Sequence, residues 1–292
     1  MKTIIRKAGL FAGVVLLAFA AFARTVELKT DKALCRVDLD GARVLSLRVN
    51  GSELLWNDTP PQTTAPDWAH GGIPLCWPNF GMEKSGRIHG SAWRKAFELK
   101  KWSESLSRSE MVLALKEGDV QLEYVIVLTD ALTLEMKTHN AGTATTPFSC
   151  GFHPYFLVGE RDRCRVDGTN GLSFEDDPSV LNPAKGVSSG RIELTSAIDR
   201  IFAFPTRSAR AFTLFDRASS RVIRVGCEGA THMNVWNPGV EKRCPGKIPG
   251  DEWRRFACVE PIMIGGASST AFPLAPGARR SLKMTVSVED AK

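Results

Sequence analysis

The chain has no block of Lys and Arg interleaved with aromatic residues, so it lacks the electrostatic footprint of a nucleic-acid binder. It has no C-x-x-C pair and no tight cysteine framework, although seven cysteines are present: Cys35, Cys76, Cys150, Cys164, Cys227, Cys244 and Cys258. An odd number leaves at least one thiol unpaired, and several lie in apolar strand-like runs, where Cys behaves as a small buried hydrophobe. Grouping Cys150 and His153 with His89 or Cys258 does not make a zinc site, because no second local ligand pair accompanies them. No linker of Gly/Ser or Pro character divides the chain, and no internal repeat or low-complexity tract occurs. Amphipathic helical periodicity is hard to find over any long window beyond the N-terminus.

That N-terminus reads as an export signal. Lys2, Arg6 and Lys7 form a basic start, Ala8 to Phe22 is apolar and uncharged, and Ala21-Phe22-Ala23 supplies a small-x-small cleavage pattern before Arg24. The apolar run is short for a span of about 20 residues, so cleavage is favoured over an uncleaved membrane anchor. No Cys follows closely enough for a lipoprotein. The expectation is a signal peptide over 1–23 and a periplasmic or secreted protein without membrane attachment after cleavage. Residues 1–23 carry three positive charges and no negative one, so the formal charge falls from +6 to +3. Residues 24–292 are long enough for one large β domain.

The mature chain reads as short strands separated by turns. Leu34 to Leu39 alternates, Asp40-Gly41 turns it into Ala42 to Val49, and Asn50-Gly51 turns it again. Met111 to Leu115, Gln121 to Leu128, Leu132 to Thr138, Ala211 to Phe215, Arg221 to Gly226 and Ser281 to Val288 continue the pattern. The fold class is therefore all-β, two large antiparallel sheets packed face to face. Two Pro/Gly/Trp-rich stretches, Thr59 to Gly86 and Asn234 to Glu252, read as long irregular loops walling a cleft.

Chemistry is suggested by Cys150-Gly151-Phe152-His153-Pro154-Tyr155-Phe156 and by Phe256-Ala257-Cys258-Val259-Glu260-Pro261. A His and a Glu embedded in apolar residues suit a buried acid/base pair, because desolvation raises a carboxyl pKa and lowers an imidazole's. Gly151 permits close approach and Pro154 stiffens the segment. Taken singly, His153 reads first as a core residue satisfied by one backbone carbonyl, while Glu260 reads equally as a strand-end group facing solvent and Asp199 equally as a turn residue or half of an ion pair. Trp77, Trp236 and Phe80 are either core or flat faces on which sugar rings stack.

An ordered set of motifs settles the reading. Gly71-Gly72-Ile73-Pro74 with Trp77-Pro78 and Phe80-Gly81, then His89-Gly90, Phe152 to Phe156, Asp199-Arg200, Val235-Trp236-Asn237-Pro238 and Cys258 to Pro261 resemble the hexose-6-phosphate mutarotases. These glucose-6-phosphate 1-epimerases are relatives of aldose 1-epimerase (galactose mutarotase). The matches span nearly the whole mature chain. The resemblance implies a galactose-mutarotase-like β-sandwich (a supersandwich of curved antiparallel sheets) that interconverts hexose anomers without metal, nucleotide or other cofactor. It implies His153 as the acid at the ring oxygen, Glu260 as the base at the C1 hydroxyl, and His89 and Asp199 as sugar-binding groups.

Where phosphate should sit, the sequence departs from the family. The resemblance expects Arg immediately before Gly-Gly-x-Pro, and His70 stands there; it expects His-Gly-Phe-Ala-Arg, and the chain reads His89-Gly90-Ser91-Ala92-Trp93 with Arg94 one position late. In a strand, that shift points the side chain to the opposite face. Arg87 and Lys84 are the nearby basic groups that would compensate. The candidate substrate-binding residues are thus His89, Asp199, Arg87, Arg94, Trp77 and Trp236, for a hexose or hexose phosphate, with a non-phosphorylated sugar preferred. A non-catalytic carbohydrate-binding protein using the same cleft is the alternative, and a polysaccharide lyase or hydrolase rests on fold analogy alone.

Overall fold

The computed structural model describes residues 24–57, 70–83, 86, 88–240, 248–266 and 271–290. The expected signal peptide over 1–23, Lys84, Arg87 and Cys244 lie outside the described residues.

Alternation of apolar and polar side chains produces the expected sheets. Val120–Leu128 and Leu132–Asn140 bury nearly every second residue, so each turns one face inward. They sit in a nine-stranded antiparallel sheet whose order is Ile192–Glu193, Cys164–Asp167, Arg210–Asp216, Arg221–Glu228, Arg279–Asp290, Leu132–Asn140, Val120–Leu128, Ser109–Glu117 and Glu98–Glu104. A second sheet runs Lys185–Val187, Ser173–Asp176, Ile198–Ala203, His232–Asn237, Phe256–Met263, Cys150–Phe152 and Leu75–Cys76, with Tyr155–Leu157 also paired to Phe256–Met263. Thr25–Lys29, Ala33–Asp38, Arg43–Val49 and Ser52–Glu53 form a smaller four-stranded sheet. The Asn50-Gly51 turn has positive φ at both residues (49° and 80°), as a tight hairpin between these strands requires.

One apolar core joins the sheets, drawing Leu28 and Cys35 from the small one, Phe152 and Val259 from the second, and Leu134 and Met284 from the first. Phe256–Met263 is buried at every position, so it has core on one face and something else on the other. Two smaller clusters lie outside the main core: Trp56, Tyr155, Ile248, Trp253, Phe256 and Cys258 form one, and Cys76, Phe80, Trp93, Ile262 and Ile264 the other. The six described cysteines are buried and unpaired by disulfides, as small apolar residues.

The structure corrects two sequence readings. Residues 234–237 belong to the strand His232–Asn237 at the centre of its sheet, not to an irregular loop. Residues 92–94 form a 3-10 turn rather than a strand, so the alternating-face argument about Arg94 does not apply.

Gly151 illustrates how tightly the second sheet is packed. A Cβ there would lie 2.8 Å from both Ile262 Cγ2 and Phe80 Cδ2, closer than van der Waals contact allows. Gly151→Ala is therefore expected to destabilise the fold by about 1–3 kcal/mol, the usual cost of overpacking. Chemical denaturation of the purified variant checks this; an unchanged midpoint would contradict it.

Candidate active site

Two stretches of pairing along Phe256–Met263 bring His153 and Glu260 together. Gly151 pairs with Ile262, and Tyr155 pairs with Cys258. Both follow one continuous antiparallel register, in which position 153 falls opposite 260. The ladder opens there because Pro154 has no N–H and the His153 N–H donates to the Pro74 carbonyl instead, at 3.2 Å. On the other side of Glu260 the register places Asn234 directly opposite. His153, Glu260 and Asn234 thus form a row across the sheet. Tyr155, Cys258, Trp236 and Asp199 form the next row, two residues along each strand and on the same face.

The distances fit a proton-handling pair. His153 Nε2 lies 3.7 Å from Glu260 Oε2, with the His side chain 7% and the Glu side chain 0% exposed. The Asn234 amide nitrogen donates to Glu260 Oε1 at 3.4 Å and to Asp199 Oδ1 at 3.3 Å, separating two carboxylates that would otherwise repel. Glu260 Oε2 and Asn234 Oδ1 are buried and accept no hydrogen bond among the described residues. Two acceptors are therefore left for donors from outside, as hydroxyl-rich ligands supply.

Aromatic rings fix the imidazole. Tyr155 stacks on His153 with centroids 4.7 Å apart and planes 10° apart, while His89 meets it edge-on at 5.4 Å. Trp236 also approaches edge-on, at 5.5 Å. His89 has a left-handed backbone (φ 59°), and its Nδ1 accepts the Gly81 N–H at 3.1 Å, which places its proton on Nε2. Gly90 is required beside it, since a Cβ would sit 2.4 Å from the Trp77 carbonyl oxygen. His70 shares a 2.7 Å hydrogen bond with the Tyr155 hydroxyl and stacks on Trp236, 9° from parallel.

Burial dominates the electrostatics. Desolvation pushes the Glu260 carboxyl well above the usual carboxylate range, Asp199 adds to this by charge repulsion, and the Asn234 hydrogen bond opposes it. Desolvation likewise pulls the His153 imidazole far down, with His89 and His70 adding. His89 falls to about 3 through burial and then His70. Both shifts favour the uncharged forms, an imidazole beside a protonated carboxyl.

Not every expected residue joins this site. Asp199, Trp236 and His89 do. Trp77 does not: it is fully buried in the main core and donates its indole N–H to Thr138 Oγ1 at 3.0 Å, so it offers no face to a sugar. Arg94 is exposed and rests its guanidinium 4.2 Å from the Trp93 ring centre. Arg87 lies outside the described residues. Sequence reasoning missed Asn234 as a functional group; its spacing of two from Trp236 was the available signal. A groove of about 870 Å³ lined by Glu98, Lys116, Glu123, Lys137 and Arg279 lies on the nine-stranded sheet, but these charged groups are exposed, and Lys137 pairs with Glu123 and Glu135. It carries no acid/base pair comparable with the buried one.

A sandwich of large antiparallel sheets with a buried His–Glu pair on one face is what this chain brings to a comparison with known proteins. The sequence profile described as "Aldose 1-epimerase" matches residues 24–287, and the chain belongs to that family. A protein of Escherichia coli named "Putative glucose-6-phosphate 1-epimerase" is 29% identical over 241 residues, covering 76% of this chain and 77% of its own. Among solved structures, a "putative mutarotase" of Salmonella typhimurium superposes with a TM-score of 0.77 at 24% identity, covering 91% of this chain and 90% of that one. A galactose mutarotase-like protein of Clostridium acetobutylicum gives 0.70 at 14% identity, covering 92% and 96%. These two structures establish the fold.

Asn234→Ala removes the donor that restrains Glu260 and screens it from Asp199. A hydrogen bond to a charged group contributes about 1.5–3 kcal/mol, so turnover is expected to fall roughly 10–100-fold. The alkaline limb of the pH–rate profile should also move to higher pH, because the one contact lowering the Glu260 pKa is lost. Steady-state rates across pH check both; an unshifted limb would remove Asn234 from this role.

Proposed function

We propose that the chain is a hexose 1-epimerase, exchanging the α and β anomers of a sugar by general acid–base ring opening and closure. The observation that carries this reading is the buried His153–Glu260 contact at 3.7 Å. Membership of the aldose 1-epimerase family supports it. The proton count is balanced throughout. The one-proton pair first passes its proton from Glu260 to His153; Glu260 as carboxylate then takes the C1 hydroxyl proton while His153 as imidazolium protonates the ring oxygen, and the C1–O5 bond breaks to give the open aldehyde. The pair is then neutral imidazole and carboxylic acid, the form that burial favours. After rotation about C1–C2, the acid protonates the carbonyl oxygen, the imidazole takes back the C5 hydroxyl proton, and the ring recloses on the other face. Each proton transfer of this kind contributes about 10²–10⁴-fold. Neighbouring groups have supporting roles: His89 donates from Nε2, and Asp199 and Asn234 accept sugar hydroxyls.

The substrate we propose is a hexose without a 6-phosphate. His70 stands where the resemblance expects an Arg, and it is engaged with Tyr155 and Trp236. It cannot offer the bidentate fork that matches a phosphate. An exported chain, as residues 1–23 suggest, would also meet free sugars rather than sugar phosphates.

Anomerisation of glucose, galactose and glucose 6-phosphate followed by NMR tests both parts. Free hexose is expected to be accelerated most, and a strong, selective acceleration with the 6-phosphate would defeat the substrate assignment. Glu260→Gln should lose at least about 10² in rate while still binding sugar; a non-catalytic binding protein would have no turnover to lose. The active pair holds one proton, so acid inactivates by adding a second and alkali by removing the first. With His153 lowered, the acid limb should lie below 6.5, and with Glu260 raised, the alkaline limb should lie well above 4.5. An acid limb at or above 6.5 would contradict this pairing.

A further inference from the structure

We infer that the catalytic face also forms a thiophilic metal site, at which an ion such as Zn²⁺ binds in competition with the sugar and inhibits. One ligand atom each from His153, Cys258 and Glu260 lies within 4.8 Å of the others, and all three residues are buried. The 3.7 Å between His153 Nε2 and Glu260 Oε2 is close to the edge of a tetrahedron with metal–ligand bonds of about 2.0–2.2 Å. Cys258 follows from the register: it lies two residues before Glu260 on the same strand, hence on the same face, opposite Tyr155.

Glu260 is prepared for ligation. Oε1 is held by the Asn234 amide, whereas Oε2 is buried, accepts no hydrogen bond among the described residues and faces the imidazole. A second group that orients one carboxylate oxygen and leaves the other to the metal is a common feature of metal sites. The charges also close: a thiolate and a carboxylate neutralise a divalent cation, which the protonated, metal-free site does not need to do. Binding therefore expels the protons of Cys258 and Glu260, and the imidazole, already neutral, loses none. A donor set of one sulfur, one nitrogen and one oxygen selects Zn²⁺, Cd²⁺ or Co²⁺ over Mg²⁺ and Ca²⁺, which prefer oxygen ligands. Because the ion occupies both proton carriers, its effect is inhibition rather than catalysis.

Titration of the purified chain with Co²⁺ reads the site without reference to turnover. One equivalent should produce a near-ultraviolet thiolate-to-metal charge-transfer band, absent from both Cys258→Ser and Cys258→Ala. In the unsubstituted chain, saturating hexose should weaken Co²⁺ binding at least tenfold, and Zn²⁺ but not Mg²⁺ should suppress anomerisation until a chelator is added. Absence of the band, its survival in both Cys258 variants, or indifference to sugar would each overturn the proposal. Should a variant fail to fold, the band and the sugar competition in the unsubstituted chain still decide. A chain that shows the band yet turns over no sugar would sink the epimerase reading and leave the metal site standing.

Discussion

The structure is organised around the desolvation of one carboxyl group. Glu260 is fully buried in the middle of a strand that is itself buried at every position, where the Asn234 amide only partly offsets the cost of a negative charge. The fold answers with neighbours rather than with water: an imidazole across one strand, an amide across the other, and an aspartate beyond the amide. The same burial that raises Glu260 lowers His153, so the ordinary order of the two groups is no guide to where a proton sits, and each is moved towards its uncharged form.

Register explains how residues separated by more than a hundred positions meet. An antiparallel strand that departs and returns in phase restores its cross-strand partners, so Gly151 opposite Ile262 and Tyr155 opposite Cys258 leave only one place for His153. A slip of one residue would send the imidazole to the core face. The segment is guarded against that slip by Gly151, wedged against Ile262 and Phe80, and by the Tyr155 ring stacked on the imidazole. The two satellite apolar clusters flank the row and exclude water from it. Meanwhile the main core fixes the opposite face of the same strands, so the site inherits the rigidity of the sandwich.

Most of the strands were legible because one-sided burial leaves a two-residue alternation in the sequence, as in Val120–Leu128 and Leu132–Asn140. His153 and Glu260 were legible for a different reason: polar groups inside aromatic, Gly- and Pro-rich runs are costly unless used. Asn234 was hidden because its meaning lies in what it faces across the sheet, at which its spacing of two from Trp236 only hints. Its strand was hidden too, since His232–Asn237 has functional residues on one face and apolar core on the other, and runs into Pro238-Gly239. Trp77 shows the limit of composition. A Trp among Pro and Gly reads alike whether it floors a cleft or fills a core, and only the packing, with its indole bound to Thr138, decides. Arg94 was misjudged because its segment coils into a 3-10 turn, where alternation has no meaning.

The account rests on one carbon sitting between two proton carriers. A crystal structure with a bound hexose tests that most directly. The expected complex has the ring oxygen within hydrogen-bond reach of His153 Nε2 and the C1 hydroxyl within reach of Glu260 Oε2, on opposite sides of the anomeric centre. A sugar bound on this face with C1 directed away from both groups would contradict the account.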